Sequence, residues 1–206
     1  MKRARTVATS ALVISAVLLD GCVGMPPPRA EAPAIYVLDA RPAAKPARPQ
    51  RDLMLVVSAP RARAGFDTAQ MAFVREPHEL EYFAKSRWAD TPSRMLAPLL
   101  VQALEQTGGF RAVVQAPSAV PADLRLDTEL IRLQQNFGTR PPQVEIALRA
   151  QLVDLRSRRV LATAEFEEVE PTTREDAYGG VIAANRALQR LLARLADFSA
   201  EQSGGR

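Results

Sequence analysis

One cysteine and one histidine among 206 residues leave little material for the commonest kinds of active site. A single thiol closes no internal disulfide and builds no cysteine-rich zinc site, and a lone imidazole has no second histidine with which to hold a metal. The chain also lacks a Gly-x-Ser-x-Gly string around a nucleophile and a Gly-Lys-Ser/Thr loop to cradle a phosphate. No catalytic residue, cofactor or metal is therefore expected. The most apolar stretch, residues 7–19, is shorter than the ~20 residues a helix needs to cross ~30 Å of hydrocarbon. Nor does one sign of charge dominate, with 27 Lys plus Arg against 23 Asp plus Glu. Without residues 1–21, which hold Lys2, Arg3, Arg5 and Asp20, the formal charge falls from +4 to +2. So nearly neutral a chain has no electrostatic footprint for nucleic acid.

What is present begins with a basic start, an apolar run broken only by Thr9 and Ser15, and a small residue, Gly21, just before Cys22. That is the layout of a secretory signal, so residues 1–21 are read as a signal peptide. Leu19-Asp20-Gly21-Cys22 resembles a bacterial lipobox, with leucine three residues before the cysteine and a small residue next to it; Asp20 departs from the small or apolar residue common there. The resemblance implies that Cys22, the sole thiol, is joined to diacylglycerol and acylated after cleavage. At about 0.8 kcal/mol per buried methylene, three acyl chains of palmitate length hold a protein on a membrane where one chain would not. Val23 stands where lipoproteins kept in the inner membrane carry Asp, which points to the periplasmic face of the outer membrane.

Residues 23–50 contain seven Pro and seven Ala. Proline fixes φ and favours extended polyproline II, so residues 22–51 read as a lipidated cysteine followed by a semi-rigid tether. Residues 35–38 interrupt it with strand-forming side chains that suit a sheet edge.

From Asp52 the pattern is that of a folded domain, 47% of the whole chain being apolar and 24% charged. Residues 53–59 read as a strand buried on both faces. Residues 71–75 and 79–83 read as two short strands around a Glu76-Pro77-His78 turn. Thr91-Pro92 opens a helix with Thr91 as cap, apolar at Leu96, Leu99, Leu100 and Leu104, and stopped by Gly108-Gly109. A short strand at 110–115 precedes Leu124, Leu126, Thr128 and Leu130, which alternate with polar residues until Ile131 and Leu133 shift the parity. That shift predicts a bulge near Leu130. Two more alternating strands, 144–152 and 160–166, flank a hairpin loop at 154–159. A last helix over 174–200 repeats apolar residues at three and four, and residues 201–206 read as a disordered tail. These segments imply an α+β fold over residues 52–200: a mixed, mainly antiparallel sheet with two helices packed on one face.

Several strings in this order resemble the ABC-type transport auxiliary lipoprotein family, which includes the lipoprotein of the paraquat-inducible Pqi system. They are Tyr36-Val37-Leu38-Asp39 after the Pro/Ala spacer, Glu79-Leu80-Glu81-Tyr82-Phe83, Arg87-Trp88-Ala89, Met95-Leu96 and Leu152-Val153-Asp154. The last hairpin lacks the Asp-Gly turn frequent in relatives, leaving Ser157 and Arg158 to form it. The resemblance implies a non-enzymatic, outer-membrane-anchored subunit of an intermembrane lipid transport system. Its partners would be a periplasmic substrate-binding protein of the MCE class and an ABC permease and ATPase.

Few residues compete with that reading. His78 is a turn residue without a second ligand. Arg87, Trp88 and Phe137 are candidate partner contacts, since Arg and aromatic residues dominate interface hot spots; packing of Trp88 beside Tyr82 and Phe83 is the alternative. Phe137 lies in a loop, 136–142, that suits either interaction or mere connection. Glu165, Glu167, Glu168, Glu170 and Asp154 read as a solvated acidic margin. The rival functions are a structural envelope lipoprotein that supports outer-membrane assembly without a transporter, and, more weakly, a tethered hydrolase.

Overall fold

Three long strands form the spine: β7 (Leu124–Asn136), β8 (Gln143–Asp154) and β9 (Arg159–Pro171) pair antiparallel over nearly their whole lengths. They do so because alternate residues are apolar, so that Leu124, Leu126 and Leu130 meet Leu148 and Leu152 on one buried face. The predicted bulge is present. Leu130 pairs with Leu148 and Arg132 with Ala147, which leaves Ile131 as the extra residue, after which Leu133 and Gln135 turn inward. The hairpin between β8 and β9 manages without glycine: Arg158 takes a φ of 58°, and the Asp154 carboxylate accepts the N–H groups of Arg156 (2.8 Å) and Ser157 (2.9 Å).

The computed structural model describes residues 31–41 and 48–204. The expected signal peptide, Leu19, Asp20, Gly21 and Cys22 lie outside the described residues, as do residues 42–47 and 205–206. In the compact unit Pro33–Arg206, the second edge of β7 is divided among three strands, all parallel to it. β2 (Arg51–Val57) pairs at its start, β3 (Arg61–Ala62) at its middle and β4 (Gln70–Val74) at its end. Beyond β2 lies β6 (Phe110–Gln115), parallel; beyond β4 lie β5 (Glu81–Trp88), antiparallel, and β1 (Ala34–Tyr36), parallel to β5. The sheet is mixed; it is mainly antiparallel by paired residues, because the long β7–β8 and β8–β9 ladders outweigh the short parallel pairings.

Both helices cover the apolar face. α1 (Pro92–Glu105) carries the chain from β5 to β6 and seals Leu96, Leu100 and Leu104 against the sheet. Thr91 is its N-cap residue, but its hydroxyl caps no backbone N–H; it sits 3.2 Å from the Ser93 hydroxyl instead. α2 (Ala177–Gln202) starts at Asp176, whose carboxylate accepts the Gly179 N–H at 2.7 Å, and buries Leu188, Leu191 and Leu195. Burying each such leucine contributes about 1.5–3 kcal/mol, which makes this layer the main source of stability.

Three boundaries and one burial pattern differ from the sequence reading. The strand expected at 79–83 runs from 81 to 88, so Arg87 and Trp88 belong to β5. β2 buries only one face fully, because Met54 and Val56 remain half-exposed beside Leu55 and Val57. Part of the segment read as tether joins the fold: β1 lengthens the sheet, and Leu38 and Ala40 enter the core. Asn185 on α2 fastens that segment, accepting the Asp39 N–H (2.8 Å) and donating to the Val37 carbonyl (3.3 Å). The expected tail, finally, begins inside α2. Ser203 is 2% exposed, and Arg51 donates to the Ala200 carbonyl (2.7 Å) and to the Ser203 hydroxyl, placing a cation at the helix C-terminus.

Candidate functional site

β4 and β7 end side by side because they are parallel, and the 75–80 turn and the 137–142 loop leave from that one end of the sheet. Between them lies a cleft of about 1050 Å³. The loop is held by its own backbone. Phe137 donates its N–H to the Val74 carbonyl at 2.8 Å, Gly138 donates to the Asn136 side chain at 2.8 Å, and Thr172 donates through N (2.8 Å) and Oγ1 (3.0 Å) to the Pro142 carbonyl. Opposite, His78 takes the left-handed φ of 70° that lets the turn close.

On the cleft floor the Glu145 carboxylate accepts four hydrogen bonds: from Asn136 (2.8 Å), Gln134 (3.2 Å), Gln143 (3.3 Å) and Arg132 (3.3 Å). Arg132 also reaches Glu167 at 3.3 Å. Arg75 is held by both oxygens of Glu81, at 2.9 and 2.7 Å, and lies 4.5 Å over the Phe73 ring. Phe73, Phe83 and Phe137 form a cluster, with Phe137 edge-on to Phe73 at 5.8 Å and 83°. Phe83 also borders a small apolar slot between the sheet and α2. At that slot Gln135, 3% exposed, presents a side-chain amide with no hydrogen-bond partner among the described residues. Gly180 makes room for this amide, since a Cβ there would run into it.

The structure separates the candidate contacts. Trp88 is 4% exposed and packs in the core, so it presents no surface to a partner. Arg87 faces another recess, of about 380 Å³, beside Pro33, Gln70 and Ser86. Only Phe137 is in the cleft. The acidic margin is an ion-pair edge rather than a bare one: Arg190 bonds Glu168 (2.9 Å), Glu170 (2.8 Å) and the Val169 carbonyl (3.1 Å), and Arg194 bonds Glu168 (2.9 Å) and the Glu167 carbonyl (3.1 Å). Burial opposes ionisation of Glu168, but the bonds and charges of Arg194 and Arg190 outweigh it and hold its carboxyl below the usual range. Asp154 is at the other end of the strands, in the β8–β9 turn. Among the described residues no group of three His, Cys, Asp or Glu side chains is arranged to hold a metal. The cleft residues that sequence reasoning missed, Arg75, Phe83 and Glu145, carried no local signal; they are brought together by strand pairing.

Comparison with known proteins fits this architecture. A family model described as the ABC-type transport auxiliary lipoprotein component matches residues 36–196. A crystal structure of a Xanthomonas campestris protein superposes with a TM-score of 0.77 at 25% identity, covering 84% of this chain and 97% of that one. The structure of a hypothetical protein from Chlamydia trachomatis shares the fold, with a TM-score of 0.55 at 8% identity, covering 76% of this chain and 100% of that one. No curated protein matches.

Proposed function

Because the chain belongs to the ABC-type transport auxiliary lipoprotein family, we propose that it is the outer-membrane-anchored subunit of an intermembrane lipid transport system. The family places it among auxiliary components of ABC transport, attached to a membrane of the envelope. In the finer reading, residues 1–21 direct export and are removed, Cys22 carries the acyl chains, and residues 23–32 tether the folded unit on the periplasmic side. That unit docks onto an MCE-class protein, whose permease and ATPase reside in the inner membrane, and assists the passage of phospholipid or another amphiphile without making or breaking a bond.

The observation that carries this reading is the extent of the family match, residues 36–196, which spans nearly the whole folded unit rather than one motif. The test is co-purification from native membranes with the MCE-class protein of the same cell, using the lipidated chain and a form lacking residues 33–204. Association with the first and not the second is the expected result. No association of the intact chain would leave only a structural envelope lipoprotein and would end the transport reading.

A further inference from the structure

We propose that the sheet edge formed by Ile35, Val37 and Tyr178 rests on the phospholipid surface that holds Cys22, with the two aliphatic side chains immersed at the level of the headgroups. This rests on the anchor at Cys22 proposed above and orients the folded unit on it.

Strand alternation supplies the first observation. From Ile35 to Arg41 every second residue turns inward: Tyr36 packs against the core, and Leu38 and Ala40 enter it. The outward row is Ile35, Val37, Asp39 and Arg41. A solvated edge needs no aliphatic side chains, yet Ile35, at 64% exposure, is the most exposed large apolar side chain among the described residues, and Val37 beside it is 50% exposed. Tyr178, also exposed, extends the patch from α2, its ring 6.0 Å from that of Tyr36, the residue between the two. Cations flank the patch. Arg87 stands opposite Ile35 in the β1–β5 register, and the Arg174 guanidinium lies 5.5 Å over the Tyr178 ring. An aliphatic tip flanked by tyrosine and arginine is the composition of a surface seated in a headgroup layer.

Connectivity selects lipid as the occupant. Residues 23–32 separate Cys22 from Pro33 and reach at most about 40 Å when fully extended, about the width of a domain of this size. β1 is thus the first strand beyond the anchor, and it meets the surface at an effective concentration of about millimolar, where a small apolar contact is populated. The backbone of the same segment is closed to a strand from a second copy or another protein. The Tyr36 carbonyl accepts the Ala89 N–H (2.7 Å) on the β5 side, so the Val37 carbonyl points to the free edge. There Asn185 donates to it (3.3 Å) and accepts the Asp39 N–H (2.8 Å), taking the groups that a further strand would pair with. Contact is left to the side chains.

The test places the fluorophore NBD on one introduced cysteine in the lipidated chain, whose own thiol is acylated: Ile35→Cys, Val37→Cys, Arg41→Cys or, as a control, Arg156→Cys in the distant β8–β9 turn. Each chain is reconstituted into vesicles of three parts phosphatidylethanolamine to one part phosphatidylglycerol, with and without doxyl-labelled phosphatidylcholine. Emission at positions 35 and 37 is expected to be at least about threefold that at 156 and to be quenched by the doxyl lipid, with position 41 intermediate. With Ile35→Ser and Val37→Ser together, quenching of NBD on Tyr178→Cys should fall at least about twofold. If that chain does not fold, the labels at 35 and 37 decide. Equal emission at 35, 37 and 156, or emission at 35 that rises with protein density and ignores the doxyl lipid, the mark of a second copy, would overturn the proposal. Mass spectrometry reads the anchor separately: Cys22 without acyl mass would end the anchor and this contact together. Acylated Cys22 with an unquenched label at 35 would sink the contact and spare the anchor. A quenched label at 35 in a chain that co-purifies with no MCE-class protein would spare the contact and end the transport reading.

Discussion

Replacing Glu168 by Gln tests whether the clasp between α2 and the outer edge of β9 holds the helix to the sheet. The Glu168 side chain is 12% exposed and receives Arg190 Nε and Arg194 Nη1, each at 2.9 Å. The amide keeps the shape but turns an –NH₂ toward a guanidinium, so one charge-assisted bond is lost and a donor faces a donor. Hydrogen bonds to charged groups contribute about 1.5–3 kcal/mol when buried, and the 43% and 55% exposure of the two arginines screens part of this. Both arginines also keep their backbone carbonyls on β9. The net cost at pH 7 is about 1–2 kcal/mol, which for a domain of this size lowers the melting temperature by about 3–6 °C. The pH dependence supplies the control. Glu168 titrates below its ordinary value of 4.5, so its contribution is complete above that pH and is lost as pH falls through the lowered folded-state value. Thermal unfolding followed by circular dichroism from pH 7 to 3 should show parent and Glu168→Gln converging at the acid end, because protonation removes the charge that the substitution removes. Melting within 1 °C of the parent at pH 7, or a gap that persists unchanged at pH 3, would refute the reasoning.

Asp176→Ala removes the cap on Gly179 and should cost about 1 kcal/mol at neutral pH; the Gly179 N–H holds the Asp176 carboxyl low, aided by Arg174 against the opposing effect of burial, so urea unfolding should show the deficit shrinking on acidification. Leu148→Ala opens a void at a fully buried position facing Leu130 and should cost about 2–5 kcal/mol in the same measurement. Cys22→Ser should move the chain from the membrane to the soluble fraction and remove acyl mass from its N-terminus in mass spectrometry.

How far the fold was legible follows from what alternation encodes. A strand's period reports which side chains are buried, and it located β7, β8 and β9, the Ile131 bulge and both helices, all of which rest on local spacing. It does not report which strand is the neighbour. The three strands that share the second edge of β7, and the docking of β1 on β5, are non-local choices made by burial of the whole sheet. For the same reason a Pro/Ala-rich stretch read as tether holds Leu38 and Ala40 in the core. Composition describes the average of a segment, and two well-placed apolar side chains are enough to bind it.

The cleft was still less visible, because it is made by the ends of strands. Arg75, Phe137, Glu145 and Glu175 come from four separate segments, and only Phe137 stood out in sequence, through a loop rich in Gly and Pro. Glu145 looked like any outward position on an alternating strand. Its role appears only when β7 lies beside β8 in register: Asn136 pairs with Gln143 and Gln134 with Glu145, and three carboxamides then converge on one carboxylate. Gln135 makes the complementary point. The bulge at Ile131 determines that Gln135, and not Gln134, faces α2, and Gly180 opposite it is the one residue type that leaves room for a buried amide. A single inserted residue in β7 therefore sets both the polar floor of the cleft and the orphaned amide behind it.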